Sequence, residues 1–313
     1  MLSQVPSDVL MIRPASFGFN NQTSDSNAFQ KNGQSPGAKE TLLKAVKEFD
    51  KMINLLKEHG VNVVVFQDTP LPVRPDAVFP NNWISFHHDG TVVLYPMMAE
   101  NRRIERRLDF INLLQKRHHF DIRKIIDLSH FEKDRKFLEG TGSIVFDYHH
   151  KIAYAAISPR TDPSVLDILC KELGFHSFVF GASDRNGISI YHTNVMMCIG
   201  SHFVIVCSEA IGNVKERKKL LDSFKQAKRH VVEISFEQMY AFAGNMIQLK
   251  GNTGRDLLVM SGTAYRSLVP EQLAELKKSI IPVVAEIPVI EESGGGSTRC
   301  MIAGIFLSRI TKE

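Results

Sequence analysis

The sequence predicts an α/β protein in which one strand–helix–strand–strand module is written five times. Three observations lead there. The same order of elements recurs along all 313 residues, short β-branched strands alternate with amphipathic helices, and no GxGxxG follows the first strand. The missing glycine pattern weakens the competing doubly wound sheet, which strand–helix alternation alone would also suggest. Repeats of this kind imply a closed or stacked array. Five units around a pseudo-fivefold axis form a five-bladed α/β-propeller, with each copy's last strand central and the helices outside.

The first copy opens with Val9 to Ile12. After a Gly/Asn/Ser-rich loop (residues 18–38), Leu42, Val46, Phe49, Ile53 and Leu56 mark one face of a helix that stops at Gly60. Val61 to Phe66 follows as a β-branched strand, and Trp83 to His87 as another, ending at the Asp89-Gly90 turn. The second copy runs Thr91 to Tyr95, a helix from about Asn101 to His118, Asp121 to Ile126 and Ser143 to Asp147. In the third, Lys151 to Ile157 leads to a helix opened by Asp162-Pro163 and closed by Gly174, then Ser177 to Phe180 and Thr193 to Ile199. Asp as N-cap with Pro at the first helical position is a strong start signal. The fourth reads Phe203 to Cys207, a helix over Val214 to Lys228, Val231 to Ser235 and Met246 to Leu249. The fifth reads Leu257 to Met260, a helix after Pro270, Pro282 to Ile287 and Met301 to Leu307. Gly294-Gly295-Gly296-Ser297 is too short and too near the end for a linker, so one domain over residues 1–313 is expected.

Composition narrows the function classes. Hydrophobic and charged residues make up 43% and 23%, near globular averages, which excludes disorder, collagen-like repeats and coiled coil as the main architecture. No apolar run approaches the ~18–20 residues that span a bilayer, and the run Val9 to Ile12 is too short for a signal-peptide core. Four cysteines without a CxxC pair argue against a disulfide framework or structural zinc. The expectation is a reduced, cytoplasmic protein with no membrane and no nucleic-acid partner. Its net charge of +4 says little about partners, and a homo-oligomer is allowed. The basic runs Arg102 to Arg107 and Lys215 to Lys219 are interleaved with Glu and read as solvated helix faces.

Chemistry concentrates where the last strand of each copy begins. Those places carry Phe79-Pro80-Asn81-Asn82, Leu138-Glu139-Gly140-Thr141-Gly142, Tyr191-His192-Thr193-Asn194, Ala243-Gly244-Asn245 and Gly296-Ser297-Thr298-Arg299-Cys300. Arranged around an axis, they converge at one end of it. Taken singly, each has an ordinary structural explanation. Cys170, Cys198 and Cys207 lie in apolar helices or strands as small buried hydrophobes, whereas Cys300 follows a Gly-rich loop with polar neighbours. The pairs His87-His88, His118-His119 and His149-His150 read as surface residues at turns and helix ends, and adjacent histidines point apart, so they make poor joint metal ligands. Together, Glu139, His192 and Cys300 at equivalent points of a repeat read as a site. A thiolate beside a histidine can attack an electrophilic sp² carbon, and the histidine can protonate a leaving amine; no metal or cofactor is needed.

Those motifs, with Met11-Ile12-Arg13-Pro14, Phe17-Gly18-Phe19-Asn20 and Pro75-Asp76-Ala77-Val78-Phe79, resemble the arginine deiminase, dimethylarginine dimethylaminohydrolase and amidinotransferase superfamily. Within it, the similarity runs toward the citrulline-utilisation hydrolase branch. The resemblance covers nearly the whole chain and implies the pentein α/β-propeller fold. It implies Cys300 as nucleophile on a guanidino or ureido carbon, His192 as general acid/base, and Glu139 as binder of substrate N–H groups or positioner of water. Asp76 matches an acidic substrate contact of the dimethylarginine branch, and Arg160 is a candidate for holding a substrate carboxylate.

The departures bear on the substrate. Asn81-Asn82 stands where arginine-directed members carry carboxylates, and His192-Thr193-Asn194 stands where arginine deiminases have His-x-Asp. A guanidinium is a donor-only cation that favours ionised acceptors, whereas a neutral ureido oxygen needs a donor such as Asn. The expectation is a small amino-acid substrate, citrulline first, giving ornithine, carbon dioxide and ammonia. Hydrolysis of arginine or a methylated arginine to citrulline stays open because Glu139 and Asp76 are acidic. So does a ligand-binding propeller without catalysis.

Overall fold

A computed structural model describes residues 2–24, 26–31, 37–252 and 254–310. In chain order the strands are β1 (Asp8–Arg13), β2 (Asn62–Gln67), β3 (Ile84–Phe86), β4 (Thr91–Leu94), β5 (Lys124–Asp127), β6 (Val145–Asp147), β7 (Ile152–Ile157), β8 (His176–Gly181), β9 (Met197–Ile199), β10 (Phe203–Val206), β11 (His230–Glu233), β12 (Ile247–Leu249), β13 (Asp256–Ser261), β14 (Ile280–Ala285) and β15 (Ala303–Ile305). They form five three-stranded sheets, ordered β15-β1-β2, β3-β4-β5, β6-β7-β8, β9-β10-β11 and β12-β13-β14. In every sheet the middle strand runs antiparallel to the first neighbour named and parallel to the second.

Each parallel pair needs a crossover, and a helix supplies it. Ala38–Glu58 joins β1 to β2 and turns Ala45, Phe49, Met52 and Leu56 inward. Leu108–His118, Pro163–Leu173, Val214–Gln226 and Pro270–Lys277 do the same in the other sheets. Asp162 caps its helix by accepting from the Ser164 and Val165 amides, and Gly174 ends it in the left-handed region at φ 69°. Burial is graded across each sheet. The short strands β3, β6 and β9 are wholly buried, whereas β5, β8 and β11 keep most residues exposed or half-buried. Among the short strands, β15 lies against β3, and both β6 and β12 lie against β9.

Five expectations are corrected. The last strand of each copy pairs with the first strand of the next copy, and β15 pairs with β1, so sheets straddle the copy boundaries. A tight turn favours the antiparallel neighbour over the strand left behind a crossover. The helix expected over 101–118 is two pieces, Glu100–Arg103 and Leu108–His118. Between them the chain turns so that Arg102 and Glu105, each 2% exposed, point inward as an ion pair, which overturns their reading as a solvated face. His87, expected at the surface, is 3% exposed because the Asp89-Gly90 turn folds it onto Ser85. Finally, the expected strand Thr193 to Ile199 begins as a helical turn, Thr193–Met196.

Candidate functional site

That helical turn recurs in the inner motifs. Pro80–Asn82 forms a single 3-10 turn, Gly140–Ser143 and Thr193–Met196 form helical turns, and residues 241–244 and 298–301 are hydrogen-bonded turns. The turns nest closely. A Cβ on Gly140 would stand 2.2 Å from the Asn81 carbonyl oxygen, and one on Gly244 would stand 2.3 Å from that of Val195. Only glycine permits such an approach. Glu139 and His192 occupy the residue just before their turns, which sets both side chains toward the middle.

His192 Nε2 lies 2.8 Å from Glu139 Oε2, and both residues are buried. Glu139 also accepts from the Met98 amide at 3.0 Å and from Arg160 Nη1 at 3.4 Å. Burial would raise the Glu139 carboxyl, but Arg160, the hydrogen bond to His192 and Arg102 outweigh it and hold it well below the usual carboxylate range. Burial lowers His192 to about 4 despite the Glu139 hydrogen bond, so the imidazole is neutral at pH 7. Cys300 Sγ receives amide N–H groups from Asn245 at 3.2 Å and Asn194 at 3.5 Å. Burial raises its thiol, opposed by Asn245, a backbone hydrogen bond within its turn, Asn194 and the charge of Arg299.

Cys300 and His192 line one small cavity, of about 20 Å³, with Asp76, Asn82, Arg102 and Arg160. Arg102 donates to Asn82 Oδ1 at 2.9 Å, pairs with Glu105 at 2.9 Å and lies 3.6 Å from Asp76 Oδ2. Asn82 Nδ2 and Asp76 Oδ1 are buried without a partner among the described residues. Three carboxylates therefore face two guanidiniums. Burial pushes Asp76 up and Glu105 to about 7, so the cluster tends to keep a proton near neutrality.

The sequence offers residues 18–36 as candidates for a lid, and of these a strap formed by residues 18–24 and 26–31 borders this cavity through Thr23 and Asn27. Asn20 donates to Asp76 at 2.7 Å, Thr23 O accepts from Arg160 at 3.0 Å, and Gln30 donates to Ser293 O at 3.0 Å. Residues 25 and 32–36 of that expected lid lie outside the described residues. Arg160 is 2% exposed, where a helix-entry arginine would be solvated, and stacks over Tyr191 at 5.1 Å. Of the candidate residues, Cys300, His192, Asp76, Asn82 and Arg160 line the cavity, while Asn194 touches it through Cys300 and Glu139 through His192. Asn81 is fully buried with its side-chain amide unpartnered, and it is not in the cavity wall. Sequence reasoning missed Arg102, whose signal was a lone inward position within a basic run. Among the described residues, no group of three His, Cys, Asp or Glu side chains could hold a metal, and no helix is long and apolar enough to cross a membrane.

Five mixed sheets whose inner turns enclose a cysteine and a carboxylate-paired histidine define the class, the arginine deiminase, dimethylarginine dimethylaminohydrolase and amidinotransferase superfamily of penteins. The chain belongs to the family described as N,N dimethylarginine dimethylhydrolase, eukaryotic, whose model matches residues 13–307. Its fold is similar to the N-terminal domain of ArgZ bound to substrate, an arginine dihydrolase from the ornithine-ammonia cycle in cyanobacteria. That likeness has a TM-score of 0.72 at 16% identity, over 94% of this chain and 96% of that one. It is also similar to AgrE in ternary complex with ornithine and NAD+, with a TM-score of 0.73 at 16% identity over 98% of this chain, which spans 40% of that one. A dimethylarginine dimethylaminohydrolase adduct with S-methyl-L-thiocitrulline has a TM-score of 0.64 at 15% identity, over 97% and 99% of the chains. No curated protein sequence matches significantly.

Proposed function

We propose that this chain is a single-domain, five-bladed propeller that hydrolyses the ureido or guanidino group of an amino acid through an intermediate on Cys300, with citrulline as the substrate. The observation that carries the reading is the shared cavity: Cys300 and His192 face the same space, walled by an Asn82 amide donor with no partner among the described residues. The pairing of β15 with β1 supports closure of the ring. In the proposed reaction the Cys300 sulfur attacks the ureido carbon and its proton passes to His192. His192 then protonates the departing nitrogen, and water cleaves the carbon–sulfur bond. Citrulline and one water give ornithine, carbon dioxide and ammonia. Glu139 acts through His192, holding the imidazole by the bond to Nε2.

Charge favours the neutral substrate. Arg102 already meets Asp76 and Glu105, and Arg160 meets Glu139, so a guanidinium brought into this cavity finds its carboxylates engaged. A buried cation without a partner costs several kcal/mol, on the order of what breaking a buried pair costs. A ureido oxygen instead takes the free Asn82 N–H. The second reading, arginine or methylarginine to citrulline, rests on the unpartnered Asp76 Oδ1, which a cation could use. Parallel incubation with citrulline and arginine separates the two. Ornithine formed from citrulline alone is the expected result, and citrulline accumulating from arginine rejects it.

A further inference from the structure

A second cavity is lined by Asn194, whose amide reaches Cys300 Sγ. It has a volume of about 60 Å³ and is walled by residues of β6, β9, β12 and β15, among them Val145, Cys198, Gln248 and Gly304. That is room for several waters or one small ion, since one water needs about 10–15 Å³ on this measure. Arg299 lines it and is the only charged residue among the described residues that do. Arg299 is half-buried; its Nη1 donates to Ile302 O at 2.9 Å, and among the described residues it makes no ion pair with a carboxylate. An arginine carries five N–H donors and keeps its charge at any working pH. Half-buried against the cavity, this charge has given up part of its hydration without an ionic partner in return.

Asn194 links this cavity to the thiol. It lines the same wall, its Nδ2 reaches Cys300 Sγ, and its buried Oδ1 has no partner. Arg299 adjoins Cys300 in the chain. We propose that this axial cavity is a binding site for a small monovalent anion of halide size, held by Arg299, and that its occupancy lowers the reactivity of the Cys300 thiol. The anion supplies the counter-charge that the protein withholds. In doing so it offsets the Arg299 charge, which favours the Cys300 thiolate.

The test needs no turnover, so it stands apart from the proposed reaction. Crystals soaked in sodium bromide should show an anomalous peak beside the Arg299 guanidinium. Alkylation by iodoacetamide, mapped to the Cys300 peptide because Cys198 lines the same cavity, should run about tenfold slower in bromide than in gluconate at equal ionic strength and pH, one pKa unit of lost thiolate. Arg299→Gln should lose both the peak and the salt difference. If that variant does not fold, the wild-type comparison of the two salts decides alone. No peak at Arg299, or equal rates in the two salts, overturns the proposal.

Discussion

The strap-side cavity is lined by Cys300 itself and the Arg299 cavity by Asn194, whose amide reaches the thiol, yet the two hold charge in opposite ways. On the strap side Arg102 and Arg160 lie against Asp76, Glu105 and Glu139, so each guanidinium meets at least one carboxylate. On the axial side Arg299 stands among amides, aromatics and aliphatic side chains with no acidic residue in the wall. A paired cluster fixes side chains and leaves little field for a charged newcomer, whereas an unpaired cation projects its field onto whatever enters. The difference teaches that the proposed reaction would be framed by the paired cluster, while the proposed anion site would act through the unpaired Arg299.

The largest test of this division is Cys300→Ala. If the strap-side cavity is where bonds break, turnover of citrulline should fall by a factor on the order of 10⁴ or more, as for other nucleophile deletions. A loss under about tenfold would falsify the assignment. Next in size, His192→Asn should cost about 10²–10⁴ in kcat, the usual range for a positioned acid/base. Glu139→Gln should fall in the same direction and move the acid limb of the kcat/KM profile, because it removes the carboxylate that holds the imidazole. An unchanged profile would leave Glu139 with a purely structural part.

Stability offers a direct contrast between the cavities. Arg102→Met strands Asp76 and Glu105, and urea denaturation should show a loss of about 3–5 kcal/mol, typical of breaking a buried pair. Arg299→Met strands no carboxylate and should cost clearly less; equal losses would erase the distinction drawn above. A selectivity measurement comes next. Asn82→Asp combined with Asn194→Asp should move preference from citrulline toward arginine, and unaltered kcat/KM ratios would defeat the electrostatic account. The smallest effect concerns acid. His192 takes up a proton near 6.5 when unfolded but only near 4 when folded, so its contribution to stability is complete above pH 6.5 and fades as pH falls toward 4. Glu139, depressed in the fold, acts in the same direction. His192→Asn should therefore lose less stability than wild type between pH 7 and 4, and parallel slopes would reject the sign.

The chain itself determined the recurrence of elements, because periodicity, caps and turn residues are local. Asp162-Pro163 and Gly174 bracket a helix wherever it packs. It also marked Glu139, His192 and Cys300, since each sits in a motif a few residues long at the same point of a repeat. Tertiary structure alone decided which strand joins which sheet, because a turn-linked neighbour competes with the strand across a helix and only packing settles it. It alone turned Arg102, Arg160 and His87 inward, and the two guanidiniums there meet partners distant in the chain: Asp76 for Arg102, Glu139 for Arg160. Among the described residues it left Arg299 without a carboxylate partner. A sequence records which groups are charged, but pairing is a property of space.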